Sequence, residues 1–312
     1  MPNSGPNPPR VSIVMLHHNG LDVTRAAIES VERQSYPNLR LYLIDNGSTE
    51  PGLRAAVAGS CIVALHRSEI NLGFVAGSNL GMKMALSEDT DYILLLNNDV
   101  ILHPEMIAGL VRCAESDPSV GAASPKIYFA KPRERIWFAG GWFKPWAGFA
   151  RMRGCGQKDS AGLSVSEETD WISGCAFMVK ADVVRKVGLL DERLDAENED
   201  LEWSLRIRKA GYRLLYCPEA ILWHLVGYTY VESGRVFARD RLGVRNLLFV
   251  LQKHLDWWQY LAALPTFAIV WFGIVPFRHA LDGRYSMMPG PFLGAMDYLR
   301  LLLSAANEKG KS

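Results

Sequence analysis

Cysteine is scarce and its spacing offers no pairing. The five residues Cys61, Cys113, Cys155, Cys175 and Cys217 include no CxxC pair and their number is odd. Neither a zinc site nor a disulfide framework is expected, and a reducing cytosol is the matching compartment. Charge of one sign is missing too: Lys+Arg 34 against Asp+Glu 33 leaves a formal net charge of +1. No bulk field exists to gather nucleic acid, so an anionic ligand has to be held locally. The opening MPNSGPNPPR lacks the charged and then apolar layout of a signal peptide, and its Pro and Asn predict a loose tail over residues 1–9. What is present is apolar: 49% of the 312 residues are hydrophobic and 21% charged, enough for one large α/β domain or two modest ones.

The apolar residues come in short runs that alternate with helical spacing. Val11 to Asn19, VSIVMLHHN, reads as a strand, and LDVTRAAIESVERQSY as the helix after it. LRLYLIDNGS (Leu39 to Ser48) and CIVALHRS predict a second and a third strand. NLGFVAGSNLGMKMAL turns from glycine-punctuated loop to helix, and YILLLNND supplies a fourth strand. Nearly continuous apolar strands alternating with helices imply a mostly parallel, Rossmann-like sheet covered on both faces. Ligands of such sheets sit beyond the carboxyl ends of the strands.

Three strand ends carry polar residues toward that edge: His17, His18 and Asn19; Asp45 and Asn46; Asn97, Asn98 and Asp99. Asp and Asn stop strands because they favour turns, which accounts for any one of these cases. Three on one edge point to a shared crevice. Farther on, LDAENEDLEWSLRIRKAGY gathers Glu197, Glu199, Asp200 and Glu202 ahead of Arg206 and Arg208. On a helix starting near Asn198, Asp200 falls in the first turn and Glu202 with Arg206 makes an i, i+4 pair.

VSIVMLHHNGLDVTRAAIESVERQSYPNLRLYLIDNGSTE, NLGFVAGSNLGMKMAL, YILLLNNDVIL and SGCAFMVKADVVRKVGLLDERLDAENEDLEWSLRIRKAGYRLLYCPEAILWH together resemble family 2 of the glycosyltransferases, particularly its rhamnosyltransferase-like members. The resemblance runs from about Arg10 to about Gly227. It implies an α/β GT-A fold and inverting transfer of a sugar from a nucleotide-sugar with a divalent metal. Asn97-Asn98-Asp99 stands where the family carries its DXD triplet, which makes Asp99 the expected Mg²⁺ or Mn²⁺ ligand; Asn97 replaces the first acid, and an amide oxygen is the weaker ligand. His224, in LWHLVG, aligns with a histidine that some relatives place on the metal, and equally reads as a packed histidine beside Trp223. Asp45 matches an acid near the nucleobase or ribose, and His17 and Asn19 stand at the first donor loop. Gly73 and Gly77 let backbone approach a ligand; Asn79 is read at the start of a helix, as an anion site or as its cap. NED followed by xEW matches the ED motif, so that Asp200 is the expected general base and Glu199 its support. Ser173 and Gly174 fall under the donor sugar, with a strand expected over Ala176 to Val179.

Trp203 lines the acceptor pocket or sits in the core, and Trp142 is an acceptor candidate inside WFAGGWFKPWAGFARMRGCG, a Trp-, Gly- and base-rich stretch with no assignment of its own. The expected division is a tail at 1–9, a catalytic domain at 10–230 (donor half about 10–125, acceptor half about 126–230) and a helical region at 231–312. There, WWQYLAALPTFAIVWFGIVPF (Trp257 to Phe277) is uncharged, aromatic at both ends and interrupted by Pro265 and Pro276. It reads as a helix or hairpin lying on a membrane, as a span, or as a homo-oligomer interface. The chain is thus expected to be peripheral at the inner face of the cell membrane. The resemblance favours dTDP-L-rhamnose, then UDP-hexoses, as donor and a cell-surface polysaccharide or lipid-linked glycan as acceptor. A nucleotidyltransferase would need a Gly-rich phosphate loop after the first strand, which MLHHNGLDVTR lacks; a non-catalytic glycan- or membrane-binding scaffold would lack the base, and Asp200 is present.

Overall fold

The computed structural model describes residues 7–60, 62–226 and 236–309, so Cys61 and residues 1–6 of the expected tail lie outside the described residues. The chain forms two compact units. The first comprises Met1–Trp142, Met152–Asp195 and Trp203–Val226; the second comprises Phe143–Arg151, Ala196–Glu202 and Gly227–Ser312. The short stretches 143–151 and 196–202, which the sequence division assigns to the catalytic domain, therefore belong with the C-terminal helices.

From residue 11 to residue 224 the chain follows the predicted alternation. Strand β1 (Val11–His17) leads to helix α1 (Leu21–Glu32), β2 (Leu39–Asn46) to a short α2 (Leu53–Ala56), β3 (Val63–Ser68) to α3 (Gly73–Ser87), and β4 (Tyr92–Leu96) to a three-residue β5 (Val100–Leu102) and α4 (Met106–Glu115). Then come β6 (Val120–Phe129), β7 (Ile136–Phe138), a hairpin of β8 (Gly141–Lys144) and β9 (Phe149–Met152), β10 (Glu167–Glu168), β11 (Ala176–Lys180), α5 (Ala181–Val187), α6 (Glu199–Lys209) and β12 (Arg213–His224). The main sheet runs β10-β12-β6-β11-β4-β1-β2-β3. Strands β4, β1, β2 and β3 are parallel, and β11 enters antiparallel between β4 and β6. Each parallel pairing needs a crossover, which the intervening helices supply. Their inward faces and the sheet bury Val14, Tyr42, Met82, Phe177, Val179 and Trp203 in one core.

Trp203 is accordingly a core residue and lines no acceptor pocket: its side chain is fully buried, lies 4.8 Å from Phe177, and spends its indole N–H on the Gly188 carbonyl at 2.9 Å. The cysteine expectation is also corrected. Cys113 on α4 and Cys217 on β12 form a disulfide, 104 residues apart in sequence, so no local spacing could announce it. Cys155 is exposed and Cys175 buried.

In the second unit, α7 (Val236–His254) is followed by α8 (Trp257–Ala268), a π-helical turn (Ile269–Ile274), α9 (Val275–Leu281) and α10 (Gly290–Lys309). Trp257 to Leu281 is one uninterrupted helix and no hairpin. Asp256 and Gln259 cap its start reciprocally. The wider π turn lies between the two prolines, and Pro276 falls in the opening turn of α9, where its missing N–H leaves no intrahelical bond unmade. Helix α10 packs on α7 where Gly294 has no room for a Cβ against the Arg241 carbonyl, beside an Arg241–Asp297 ion pair at 2.5 Å.

Candidate functional site

The carboxyl ends of β1, β2 and β4 lie side by side in the sheet, as the parallel pairing requires. His17 is fully buried at the last position of β1; its Nδ1 meets the Thr24 hydroxyl of α1 at 2.7 Å, while its Nε2 has no partner among the described residues. Burial, resisted by the nearby Asp45 and Glu50 carboxylates, lowers its pKa. The same Thr24 hydroxyl accepts from the Asn98 amide at 2.9 Å, so one buried threonine joins the first strand end to the NND turn.

Asn19 sits in the left-handed region (φ 61°), which asparagine tolerates better than most residues. Its Oδ1 accepts the backbone N–H groups of Thr49 and Glu50, each at 3.0 Å, and so ties the loop after β1 to the loop after β2. Asp45 accepts the Ser48 N–H at 3.0 Å and pairs with Arg67 of β3 at 3.3 Å. Asn46 holds the entry to α3, accepting from Leu72 N–H and donating to the Gly73 carbonyl. Gly73 takes φ 81° with open space where a Cβ would stand, whereas a Cβ at Gly77 would lie 2.7 Å from the Leu16 side chain, closer than atoms can pack. Gly73 is thus the position where backbone is open to a ligand, and Gly77 is a packing glycine.

Asn79 is corrected. It lies mid-helix in α3, is buried, and its amide is spent on Leu190 N–H, Leu190 carbonyl and Glu192, each at 3.0 Å. It neither caps a helix nor presents a free polar head to a ligand.

The NND turn is made by the change of partner that follows it. After β4 ends at Leu96, Asn97 N–H bonds the Cys175 carbonyl at 3.0 Å, and β5 leaves to pair antiparallel with the end of β12, His224 opposite Val100. That register sets Asp99 beside His224: Oδ1 and Nε2 are 3.2 Å apart and both residues are buried. Among the described residues neither Asp99 Oδ1 nor His224 Nδ1 has a hydrogen-bond partner of good geometry. Burial opposes the imidazolium, but the Cys175 thiol and the Asp99 carboxylate override it and push His224 up to about 10. Trp137 of β7 meets the imidazole edge-on at 4.6 Å between ring centres. Ser173 and Gly174 are buried just before β11, with Ser173 Oγ accepting the Cys175 N–H at 3.3 Å.

A divalent cation fits the Asp99 and His224 pair. Asp99 Oδ1 and His224 Nε2, 3.2 Å apart, match the separation of adjacent ligands around an ion bound at about 2.1 Å, provided the ion takes the place of the imidazolium proton between them. Among the described residues no group of three or more His, Cys, Asp or Glu is arranged to hold a metal.

In the second unit, Glu199 and Asp200 open α6 as expected. Glu199 is buried, with Oε2 unpartnered among the described residues; desolvation first, then the charge of Asp200, raises its pKa well above the ordinary carboxylate range. Asp200 is half-buried and accepts the Leu201 N–H at 2.7 Å. Glu202 is fully buried against Lys253 at 2.8 Å and His254 at 3.1 Å, partners the i, i+4 rule could not supply. Arg206, its expected mate, donates to the Val187 and Leu189 carbonyls at 2.7 and 2.6 Å. Trp142 is 48% exposed. Thr24, Arg67 and Trp137 bear on the site without any motif to mark them.

The family description "Glycosyl transferase family 2" matches residues 12–162 and "Glycosyl transferase family group 2" matches 92–299, two thirds of the chain. The N-acetylglucosaminyl-diphospho-decaprenol L-rhamnosyltransferase of Mycobacterium tuberculosis is 26% identical over 243 residues, covering 70% of this chain and 76% of that protein. The uncharacterized protein y4gI of Sinorhizobium fredii is 28% identical over 231 residues, which are 69% of this chain but only 24% of that longer protein. Among solved structures, the mannosyltransferase PcManGT of Pyrobaculum calidifontis, in complex with GDP-Man and Mn²⁺, superposes with a TM-score of 0.58 at 16% identity, over 93% of this chain and 87% of its own. At that identity the likeness is one of fold.

Proposed function

The chain belongs to the family 2 glycosyltransferases, with a GT-A fold, and from that premise we propose that it moves a sugar, with inversion, from a nucleotide-sugar to a hydroxyl of a lipid-linked or cell-surface glycan. The favoured donor is dTDP-L-rhamnose, followed by UDP-hexoses, in keeping with the rhamnosyltransferase among its relatives. One observation carries the reading: the buried Asp99 and His224 pair, 3.2 Å apart at the end of the sheet where α/β folds bind ligands.

Asp99 and His224 would hold Mg²⁺ or Mn²⁺. That ion, when bound, would neutralise charge building on the departing diphosphate. His17, Asn19, Asp45, Gly73, Asn97 and Asn98 border the nucleotide, and Ser173 and Gly174 the sugar. Asp200 takes the proton of the acceptor hydroxyl as its oxygen bonds the anomeric carbon and the anomeric carbon–diphosphate bond breaks, the electron pair leaving with the nucleoside diphosphate. Glu199, its pKa raised by burial and then by the Asp200 charge, supports the base. Trp142 is placed by this reading on the acceptor side.

The acceptor's lipid gives the second unit its role. Trp257, Leu261, Ile269, Phe277 and Leu281 project from the continuous helix with more than half of their surface exposed, an arrangement suited to lying in the headgroup region on the cytoplasmic side of the membrane. By length and composition the same helix suffices to cross a bilayer. The test is turnover of a panel of UDP-, dTDP- and GDP-sugars with Mg²⁺ or Mn²⁺, comparing the wild type with Asp200→Asn. Release of nucleoside diphosphate that is lost in the variant supports the assignment; a panel in which no donor binds or turns over overturns it.

A further inference from the structure

The turn ahead of Asp200 holds two consecutive non-glycine residues in the left-handed region, Glu197 at φ 66° and Asn198 at φ 65°. L-residues rarely adopt that conformation singly, and two in a row persist only where the surroundings impose it. The surroundings are one face of α7. Asn246, fully buried, donates from Nδ2 to the Ala196 carbonyl at 2.5 Å and the Glu197 carbonyl at 2.7 Å, while its Oδ1 accepts from Arg245 at 2.7 Å. Three residues back, the Gly243 carbonyl accepts the Asn198 amide at 3.1 Å, and four further back Arg239 pairs with Glu197 at 3.6 Å. Near the end of α7, Lys253 and His254 hold Glu202. Residues 239, 243, 246 and 253 recur at three-, four- and seven-residue intervals, so they stand on one side of the helix.

We propose that Asn246 is a positioning residue for the catalytic base, holding the Ala196–Asn198 turn in the strained form that delivers the chain into α6 with Asp200 at its second position. The inference rests on the reading of Asp200 as base. Asn198 closes the device, since its carbonyl accepts the Glu202 N–H at 3.0 Å and so begins the helix. Remove the Asn246 amide and the Ala196 and Glu197 carbonyls lose this donor; the turn then relaxes toward ordinary backbone, and Asp200 shifts relative to the proton it must take. A base displaced by about 1 Å loses on the order of a hundredfold in rate.

The experiment is a double-mutant cycle with Asn246→Ala and Asp200→Asn, read as nucleoside diphosphate release from the UDP-, dTDP- and GDP-sugar panel with Mn²⁺. Asn246→Ala is expected to lower kcat about a hundredfold with donor KM within about twofold, and to add little once Asp200 is already Asn, because both remove the same contribution. Losses that multiply, or a kcat within about twofold of wild type, overturn the proposal. Should Asn246→Ala not fold, Asn246→Asp keeps the side-chain volume while facing the two carbonyls with an acceptor, and the same cycle is read on it. If Asp200→Asn alone keeps full activity, the base assignment fails, an outcome separate from the fate of Asn246.

Discussion

Asp99 and His224 illustrate how little a residue's chemistry depends on its neighbours in sequence. The carboxylate and the imidazole are 125 positions apart and meet because β5 pairs with β12. In a calorimetric titration with Mn²⁺ and nucleoside diphosphate, Asp99→Asn and His224→Ala are each expected to weaken the metal's contribution by at least about tenfold. Nucleotide binding without metal should change little. Glu199 gives a pH prediction. Its raised pKa means that the folded state keeps a proton which the unfolded chain releases at lower pH, so its contribution is present at low pH and lost as pH rises through the folded value. Glu199→Gln removes that dependence, and the Tm of the variant relative to wild type should climb between pH 5 and pH 9. An equal offset at both pH values would show that Glu199 does not titrate in this range. Trp203→Ala should cost about 3 to 5 kcal/mol in urea unfolding, the toll of an emptied core site; a loss below about 1 kcal/mol would contradict its burial.

At the scale of elements, the strands were legible because continuous apolar runs ending in Asp, Asn or His have few alternatives, and β1, β2, β3 and β4 fall where the pattern puts them. Helix interiors were harder. Asn79 lies next to glycine-rich loop, and an asparagine there reads as a helix start until tertiary structure shows α3 beginning at Gly73 and the segment at Leu190–Glu192 claiming the amide. Asn79→Ala strands buried backbone groups and should cost about 1 to 3 kcal/mol in chemical denaturation, with the helix retained by circular dichroism. Glu202 repeats the lesson. Local i, i+4 geometry points only to Arg206, yet Lys253 and His254, about fifty positions away, also meet this buried carboxylate.

For the whole molecule, the question is what the helices of the second unit are for. Trp257 is 76% exposed and Leu281 71%, at the two ends of a 25-residue helix of which little is buried. Each such side chain gains about 1.5 to 3 kcal/mol when buried, so Leu261→Glu with Phe277→Glu should reduce co-sedimentation with anionic phospholipid vesicles by more than tenfold. Turnover of the soluble donor should stay intact. Unchanged sedimentation, or a variant that merely loses self-association, would assign the face to a second copy of the chain. The sequence by itself determined what rests on local pattern: the Rossmann-like alternation, the polar strand ends, an acid cluster at a helix start and an apolar C-terminal helix. These follow from periodicity and from residue types that act within a few positions of themselves. Tertiary structure alone decided the Cys113–Cys217 pair, the Asp99 and His224 meeting, the core place of Trp203 and the grip of Asn246 on the turn before Asp200. Each of these joins residues distant in sequence, and only strand pairing and helix packing bring such residues within bonding distance.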